Sequence, residues 1–304
     1  MTTWNSVTDR APRSGEADAS TQRLWRGAAH AVAMARYALS PRAHGFRNEF
    51  AQPMVERLTL RWPDLPADLH GLRIAQLSDM HAAPWVPLSL LRRGAALALA
   101  EKPDLIALTG DFITLHSRPE HFARQAAEAL ARLRAPLGVY ASLGNHDYWG
   151  SAPAVTRALE RVGIRMLVNA STHLRIGSAD LVVTGLDSAR EGQPDLRTAL
   201  DGTPRQAFRV LLAHEPDVAD RAAGFGVHLQ LSGHSHGGQI EIPGVKPFWL
   251  PRLGKKYPRG LYRVHHMWLY TNRGLGGGFP PLRHNCPPEV TLITLERDAC
   301  DASS

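Results

Sequence analysis

Short apolar runs alternate with segments of helical spacing through the first half of residues 56–297. The runs at 72–79, 104–111 and 137–147 have the length of buried strands, and each ends in polar residues. Apolar positions recur at helical spacing in other segments, at 87–101, 119–134 and 153–162. This alternation predicts an α/β layered fold whose strands are buried on both faces.

More strands, with shorter connections, are predicted in the second half of the same region. Their apolar or alternating runs lie at 173–177, 181–185, 208–213, 227–232, 261–264, 267–271 and 290–295. Strands this close in sequence favour a mixed sheet, because antiparallel neighbours need only short turns. We therefore predict one domain over residues 56–297, preceded by an N-terminal extension (1–55) and followed by a C-terminal tail (298–304).

The N-terminal extension contains one amphipathic segment within residues 21–39, where apolar side chains follow helical spacing. Arg23, Arg26, His30 and Arg36 fall largely on the other face. Two interpretations stay open: a helix packed on the body of the protein, or a basic helix on an anionic membrane surface. No run approaches the ~18 consecutive apolar residues of a membrane span, and no signal peptide is evident.

Composition and charge constrain the class of partner but do not identify it. The chain has 304 residues, 44% hydrophobic and 21% charged, which is typical of a globular protein. The formal net charge of +7 suits nucleic acid, anionic lipid or phosphorylated substrates without choosing among them. Cys286 and Cys300 lie outside any metal-binding pattern, so a cysteine-based zinc site is not expected.

Polar side chains able to bind metal recur directly after the apolar strands. Five strand ends carry them, and the residues are Asp79, His81, Asp111, Asn145, His146, Asp147, His214, His234 and His236. Ligands of open α/β sheets bind in the crevice outside the carboxyl ends of the strands. A single Asp or His there is most often a turn or capping residue. Agreement across five strand ends is not expected from turns alone, and it predicts a metal site.

The residue types narrow the chemistry of this site. Asp, Asn and His supply oxygen and imidazole ligands, which suit Mn, Fe, Zn, Co or Ni. Seven of these residues form the candidate ligand set: Asp79, His81, Asp111, Asn145, His214, His234 and His236. Seven ligands are too many for one tetrahedral ion, and they fit two ions that share a carboxylate. Two-metal sites hold the attacking and leaving oxygens of a phosphoryl displacement and lower the pKa of bound water.

The spacing of these residues resembles the calcineurin-like metallophosphoesterase superfamily. The blocks D-x-H, G-D, G-N-H-D, a separate His and G-H-x-H occur in that order between Asp79 and His236. The segment 260–295 is similar to the tail of the bacterial YkuE-like branch, so that the resemblance covers about residues 57–296. It implies a layered β-sandwich core of two mixed sheets flanked by helices, and a binuclear metal-dependent hydrolase.

The resemblance also implies a role for each residue of these blocks. One metal would be bound by Asp79, His81 and His236, the second by Asn145, His214 and His234, with Asp111 as the bridge. His146 would donate a proton to the leaving oxygen or stabilise the phosphoryl charge, and Asp147 would orient the His146 ring. A metal-bridging hydroxide would attack phosphorus in line.

Two further residues are candidate substrate contacts outside these blocks. Arg273 lies in a glycine-rich turn and could contact a phosphate, although a structural role fits equally well. His116 follows the strand that ends at Asp111 and could line a substrate pocket. The aromatic and basic segment 248–260 could be a rim for a lipid phosphate or a surface loop.

We expect an enzyme that hydrolyses phosphodiester, phosphomonoester or pyrophosphate bonds. An alternative is a membrane-associated pyrophosphatase acting on a lipid-linked nucleotide such as UDP-2,3-diacylglucosamine, which the N-terminal helix and the segment 248–260 would favour. A metal-holding scaffold without catalysis would be expected to lack His146 or some ligands, and this chain keeps them all. No motif indicates a specific nucleic-acid partner.

The expected location is the cytoplasm, with peripheral contact with the inner membrane left open. Members of the YkuE-like branch often begin with a transmembrane helix or a twin-arginine export signal. Neither is evident in this sequence.

Overall fold

A computed structural model of the chain describes residues 50–114, 117–242, 247, 249–278 and 281–298. The described residues fall in one compact unit. The helix predicted within 21–39 and the candidate His116 lie outside the described residues. They stay predictions, as do the domain boundaries.

The described residues form two six-stranded sheets, and the strands are distributed along the whole described part of the sequence. In chain order the strands are β1 (Met54–Trp62), β2 (Arg73–Leu77), β3 (Leu105–Thr109), β4 (Val139–Ser142), β5 (Arg165–Met166), β6 (Ala170–Ile176), β7 (Ala179–Gly185), β8 (Phe208–Leu212), β9 (Leu229–Ser232), β10 (Gly260–Val264), β11 (Met267–Thr271) and β12 (Glu289–Arg297). Sheet one has the order β1-β12-β2-β3-β4-β5, and sheet two has the order β10-β11-β9-β8-β7-β6.

Both sheets are mixed, with a parallel core. In sheet one, β2 to β5 are parallel to one another, while β12 runs antiparallel to β2 and parallel to β1. In sheet two, β7, β8, β9 and β11 are parallel, and the edge strands β6 and β10 are antiparallel. The predicted α/β fold with two mixed sheets is confirmed.

The helices connect the parallel strands. In chain order they are α1 (Leu88–Ala100), α2 (Pro119–Leu130), α3 (Asn145–Gly150), α4 (Ala152–Arg161), α5 (Leu196–Leu200) and α6 (Ala219–Ala222). The helices predicted at 87–101 and 153–162 are confirmed within a residue at each end, whereas α2 ends at Leu130, earlier than the predicted 134. Within the part of the chain that the structure describes, every helix is too short or too polar to span a bilayer.

Alternate residues of the central strands face different apolar layers. In β3, Leu105 and Ala107 pack in the core between the two sheets, whereas Ile106 and Leu108 pack beneath the helices that cover sheet one. All four are fully buried. Burying a side chain such as Leu or Ile stabilises the fold by about 1.5–3 kcal/mol. Because both faces are covered, the strand appears in the sequence as one continuous apolar run.

Candidate metal centre

Strand ends from both sheets meet at one edge of the sandwich. In sheet one, Asp79, Asp111 and Asn145 follow β2, β3 and β4. In sheet two, His214 and His234 follow β8 and β9. Backbone hydrogen bonds hold these ends together, from Asp79 N to the Gly110 carbonyl (3.1 Å) and from Gly233 N to the His214 carbonyl (3.0 Å). The carboxyl ends of the parallel strands thus present their polar residues to a common cavity.

The predicted ligands form two clusters that share one carboxylate. Ligand atoms of one cluster all lie within 4.8 Å of one another, as do those of the other. The first contains Asp79, His81, Asp111 and His236, and the second contains Asp111, His214 and His234. All of these side chains are buried except that of His236, which is partly buried. Asp111 is the member common to both.

Candidate ligand atoms lie at short distance from one another in the first cluster. Nε2 of His81 lies 2.9 Å from Nε2 of His236, and Nε2 of His236 lies 3.3 Å from Oδ1 of Asp79. Lone pairs aimed at one point repel unless a proton or a cation lies among them. An arrangement of this kind with Asp and His donors fits a divalent metal ion of the Zn, Mn or Fe type.

Another buried acceptor at the predicted site, the Asn145 side chain, is without a partner in the described part of the chain. Nε2 of His214 lies 3.0 Å from Oδ2 of Asp111. The side-chain oxygen of Asn145, which follows β4, is buried and has no hydrogen-bond partner among the described residues. A buried unsatisfied oxygen normally costs stability, and coordination of a cation would satisfy it. The donor set therefore fits a second ion.

Each candidate His ligand has one ring nitrogen fixed outside the cavity. In three of them Nδ1 is the fixed nitrogen: His81 contacts Thr114 Oγ1 (2.9 Å), His214 the Thr109 carbonyl (2.7 Å) and His236 the Gln239 Oε1 (3.1 Å). In His234 the fixed nitrogen is Nε2, 2.8 Å from the Arg252 carbonyl, so Nδ1 is the atom left for a metal. Such outer contacts set the tautomer and orientation of metal-binding imidazoles.

The buried carboxylates and imidazoles of the site shift one another's pKa values. Burial and the neighbouring His236 lower the pKa of His81 well below its usual value. Burial opposes ionisation of Asp111, yet His214 and His146 beside it hold its pKa well below the usual range. Although burial opposes it, Asp111 raises the pKa of His214 well above its usual value. The buried carboxylates of this site thus favour positive charge beside them.

Five of the candidate ligands have left-handed backbone conformations. The φ angles are 52° for Asp79, 50° for His81, 55° for Asp111, 73° for His234 and 52° for His236. Positive φ is uncommon for residues other than glycine, and such conformations concentrate at functional sites. The strand ends therefore turn sharply to aim these side chains at the cavity.

Gly110 allows two ligand-bearing segments to approach each other closely. Its φ is +82°, and a Cβ there would lie 2.6 Å from Gly144 N and 2.8 Å from Nδ1 of His214. Any side chain would push apart the loops that carry Asp111 and His214. This is the physical reason for the Gly-Asp pair at the end of β3.

His146 lies beside the cavity and belongs to neither cluster. Its ring makes an edge contact with the His81 ring at 4.7 Å between centroids, and a second ring contact with Trp149 at 4.3 Å. Nδ1 of His146 is 3.5 Å from the Thr114 carbonyl. Burial lowers the pKa of His146. These contacts leave Nε2 as the ring nitrogen without a fixed partner among the described residues.

Asp147 makes different contacts from those predicted. Its carboxylate accepts hydrogen bonds of 2.8–3.2 Å from the backbone N–H groups of residues 111–113 and of Gly144, and not from the His146 ring. The reason is that α3 begins at Asn145, which makes Asp147 its third residue, so that the side chain turns back to cap the helix start. Asp147 fixes the backbone that carries Asp111.

Arg273 is engaged in ion pairs. Its guanidinium contacts Glu289 through Nε, and Nη2 lies 3.6 Å from Glu56. Glu289 is almost fully buried, so its charge requires this partner. These contacts support the structural interpretation of Arg273 over the predicted contact with a substrate phosphate.

Several residues that shape the site carried no recognisable signal in the sequence. Thr114, Gln239 and the Arg252 carbonyl orient histidines by contacts that only the fold creates. Arg283 is fully buried and donates to main-chain carbonyls within 273–286 at 2.7–3.2 Å. It thereby holds the turn whose Gly276 N–H donates to the Asp79 carbonyl at 2.7 Å.

Comparisons with known proteins agree with this geometry. The family model described as calcineurin-like phosphoesterase matches residues 72–238. The metallophosphoesterase YkuE of Bacillus subtilis is 34% identical over 258 residues, which cover 83% of this chain and 90% of that protein. Phosphodiesterase YaeI of Escherichia coli is 32% identical over 226 residues, which cover 73% and 82%.

A third relative is named for a lipid-linked substrate. The UDP-2,3-diacylglucosamine pyrophosphatase LpxG of Chlamydia trachomatis is 28% identical over 300 residues, covering 79% of this chain and 88% of that protein. Family match, relatives and donor clusters all agree on one enzyme class. The chain belongs to the calcineurin-like phosphoesterase family and is a metal-dependent phosphoric ester hydrolase.

Proposed function

We propose that the protein is a binuclear metal-dependent phosphoesterase that hydrolyses a phosphodiester, phosphomonoester or pyrophosphate bond. The observation that carries this proposal is the pair of buried donor clusters sharing Asp111. A single-metal site would need only three or four of these donors. The buried Asn145 oxygen, which has no hydrogen-bond partner among the described residues, would add a donor for the second ion.

The proposed ligands follow the two clusters. One ion would be held by Asp79, His81 and His236, the other by Asn145, His214 and His234, and both by Asp111. Metal ions in such a pair activate water at neutral pH and stabilise charge on the phosphoryl group. The left-handed backbone at five of these residues preorganises the donors.

His146 is proposed to act on the leaving oxygen. Its edge contact with His81 keeps it beside the metal ligands, while neither donor cluster includes it. A positioned imidazole can donate a proton to a leaving alkoxide or stabilise the phosphoryl charge by a hydrogen bond. Asp147 would contribute indirectly, by fixing the backbone of residues 111–113.

A pair of variants tests these assignments. His146→Ala is expected to leave metal content unchanged and to lower turnover of bis(p-nitrophenyl) phosphate by roughly 10²–10⁴-fold, the usual contribution of a general acid. His236→Ala is expected to lower the metal content per chain, measured by elemental analysis. Wild-type turnover by the His146 variant, or two ions fully retained by the His236 variant, would refute the assignment concerned.

A lipid-linked pyrophosphate is the second candidate substrate class. One ground for it is the similarity to LpxG. The other is Trp249, whose side chain is 70% exposed. Trp249 lies three residues before Arg252, whose carbonyl orients His234. Aromatic side chains at a basic rim suit an interfacial substrate. The test is hydrolysis of UDP-2,3-diacylglucosamine in mixed micelles, compared with bis(p-nitrophenyl) phosphate. A preference for the soluble diester would exclude the lipid as the substrate class.

A further inference from the structure

The loop of residues 186–193 lies at the same edge of the sandwich as the donor clusters. It follows β7, which runs parallel to β8, the strand that precedes His214. The hydroxyl of Tyr148, on α3, donates to Oδ1 of Asp187 at 2.6 Å and so ties this loop to the helix that begins at Asn145. The loop therefore bridges the two sheets next to the site.

Two buried carboxylates determine the shape of this loop. Glu215, directly after His214, is 1% exposed and accepts from Ser188 Oγ (2.6 Å), Ala189 N (2.9 Å) and Arg190 N (3.2 Å). Asp187 is also buried and accepts from the backbone N–H groups of 188 and 193, both at 2.8 Å. Buried carboxylates used in this way give a loop one defined conformation.

Arg190, in this loop, lies over the ring of Trp149, the aromatic residue beside His146. The Arg190 guanidinium carbon lies 4.8 Å from the centroid of the Trp149 ring, and Trp149 in turn contacts the His146 ring. Nε of Arg190 lies 3.3 Å from Glu191. Its Nη1 and Nη2 groups have no hydrogen-bond partner among the residues that the structure describes. The Arg190 side chain is 30% exposed.

We propose that Arg190 binds a second anionic group of the substrate, on the leaving-group side of the reacting phosphate. This inference rests on the proposed function, because it takes His146 as the residue beside the leaving oxygen. Stacking on Trp149 holds the guanidinium plane, and the two Nη groups offer the paired donors that suit a phosphate. The substrate class is therefore a pyrophosphate diester rather than an ester with a single phosphate.

The charge balance of the reaction supports this choice. In hydrolysis of a pyrophosphate diester, the oxygen of one water forms a new bond to the attacked phosphorus, the bridging P–O bond on that phosphorus breaks, and two phosphomonoesters result. The electron pair of the broken bond stays on the departing phosphate, and the protons of the water pass to the products or the solvent. A cation fixed beside the departing phosphate stabilises the charge that develops there.

Ligand binding and turnover together test the proposal. The variants are Arg190→Ala, Arg190→Lys and, as a matched control, Arg175→Ala. Arg175 is also exposed and ion-paired, to Asp180 at 2.9 Å, but it lies at the β6–β7 turn, at the opposite end of β7. Binding of α,β-methylene-UDP and of UMP to the metal-loaded protein is measured by calorimetry.

Arg190→Ala is expected to weaken binding of α,β-methylene-UDP about tenfold or more and binding of UMP less than about twofold, since charged hydrogen bonds have this size. Arg190→Lys is expected to retain part of the affinity, and Arg175→Ala all of it. If Arg190→Ala lowers the affinity for both ligands equally, or leaves the affinity for α,β-methylene-UDP unchanged, the proposal is overturned. Turnover of bis(p-nitrophenyl) phosphate by the wild-type protein tests the proposed function separately, because this diester has only one phosphate and does not need Arg190.

Discussion

Replacing Gly110 by Ala tests whether the close approach of the ligand-bearing loops is required. Gly110 has φ of +82°, and a Cβ there would meet Gly144 N at 2.6 Å and Nδ1 of His214 at 2.8 Å. Gly163, at the end of α4, is a matched control. Its φ is +85°, and a Cβ there would have nothing within 4 Å. The two positions share the backbone conformation and differ in their surroundings.

The free energies of unfolding should separate the two effects. A left-handed conformation costs an L-residue about 1 kcal/mol relative to Gly at either position. Forcing a methyl group into a packed site adds about 1–3 kcal/mol, and only Gly110→Ala incurs this. We therefore expect Gly163→Ala to lower the free energy of unfolding by about 1 kcal/mol and Gly110→Ala to lower it by about 2–4 kcal/mol.

The assay is urea unfolding of the chelator-treated protein, so that metal binding does not contribute to stability. Metal content after reconstitution is then measured by elemental analysis. Gly110→Ala should lose bound metal because Asp111 and His214 are displaced, whereas Gly163→Ala should match the wild type. The reasoning fails if the two variants unfold within about 0.5 kcal/mol of each other and bind the same amount of metal, since the loops would then tolerate a side chain.

Three further variants test single contacts. Asp147→Asn should lower the metal content per chain, because an amide cannot accept all four of the backbone hydrogen bonds by which Asp147 fixes the segment that carries Asp111. Unchanged metal content would show that these hydrogen bonds are not required for metal binding. Thr114→Val should weaken metal affinity about tenfold in a chelator competition, because Nδ1 of His81 loses its partner; an unchanged affinity would argue against this orientation. Asp195→Ala should lower the free energy of unfolding by about 1 kcal/mol through loss of the α5 cap, with metal content unaffected. A drop in bound metal would contradict that separation.

Much of the fold was predictable because both faces of the central strands are covered. The run from Leu105 to Leu108 is apolar throughout, and both β3 and the polar residues after it lie where that run predicts. Shorter elements were harder to predict from the sequence. The two-residue strand β5, Arg165–Met166, is too short to show a periodic pattern in the sequence. The helix α3 was not predicted, because it begins within the G-N-H-D block, whose residues were interpreted for their chemistry and not for secondary structure.

The candidate site was predictable where ligand type and strand position coincide, and not where backbone geometry decides. Asp147 illustrates the limit. Its neighbour His146 suggested a side-chain pair, but the start of α3 directs the Asp147 carboxylate to main-chain N–H groups. Arg190 shows the same limit, since its proposed role depends on contacts with Trp149 and Glu215, which lie in different sheets' connections. No local pattern in the sequence encodes contacts of that range.

The central claim, that one carboxylate holds two metal ions together, is tested most directly by counting metal ions per chain. Wild-type protein and Asp111→Ala are reconstituted with Mn²⁺ or Zn²⁺, separated from free metal by gel filtration and measured by elemental analysis. Two ions per chain are expected in the wild type, with loss of both in the variant. A single ion in the wild type, or two ions retained without Asp111, would contradict the account.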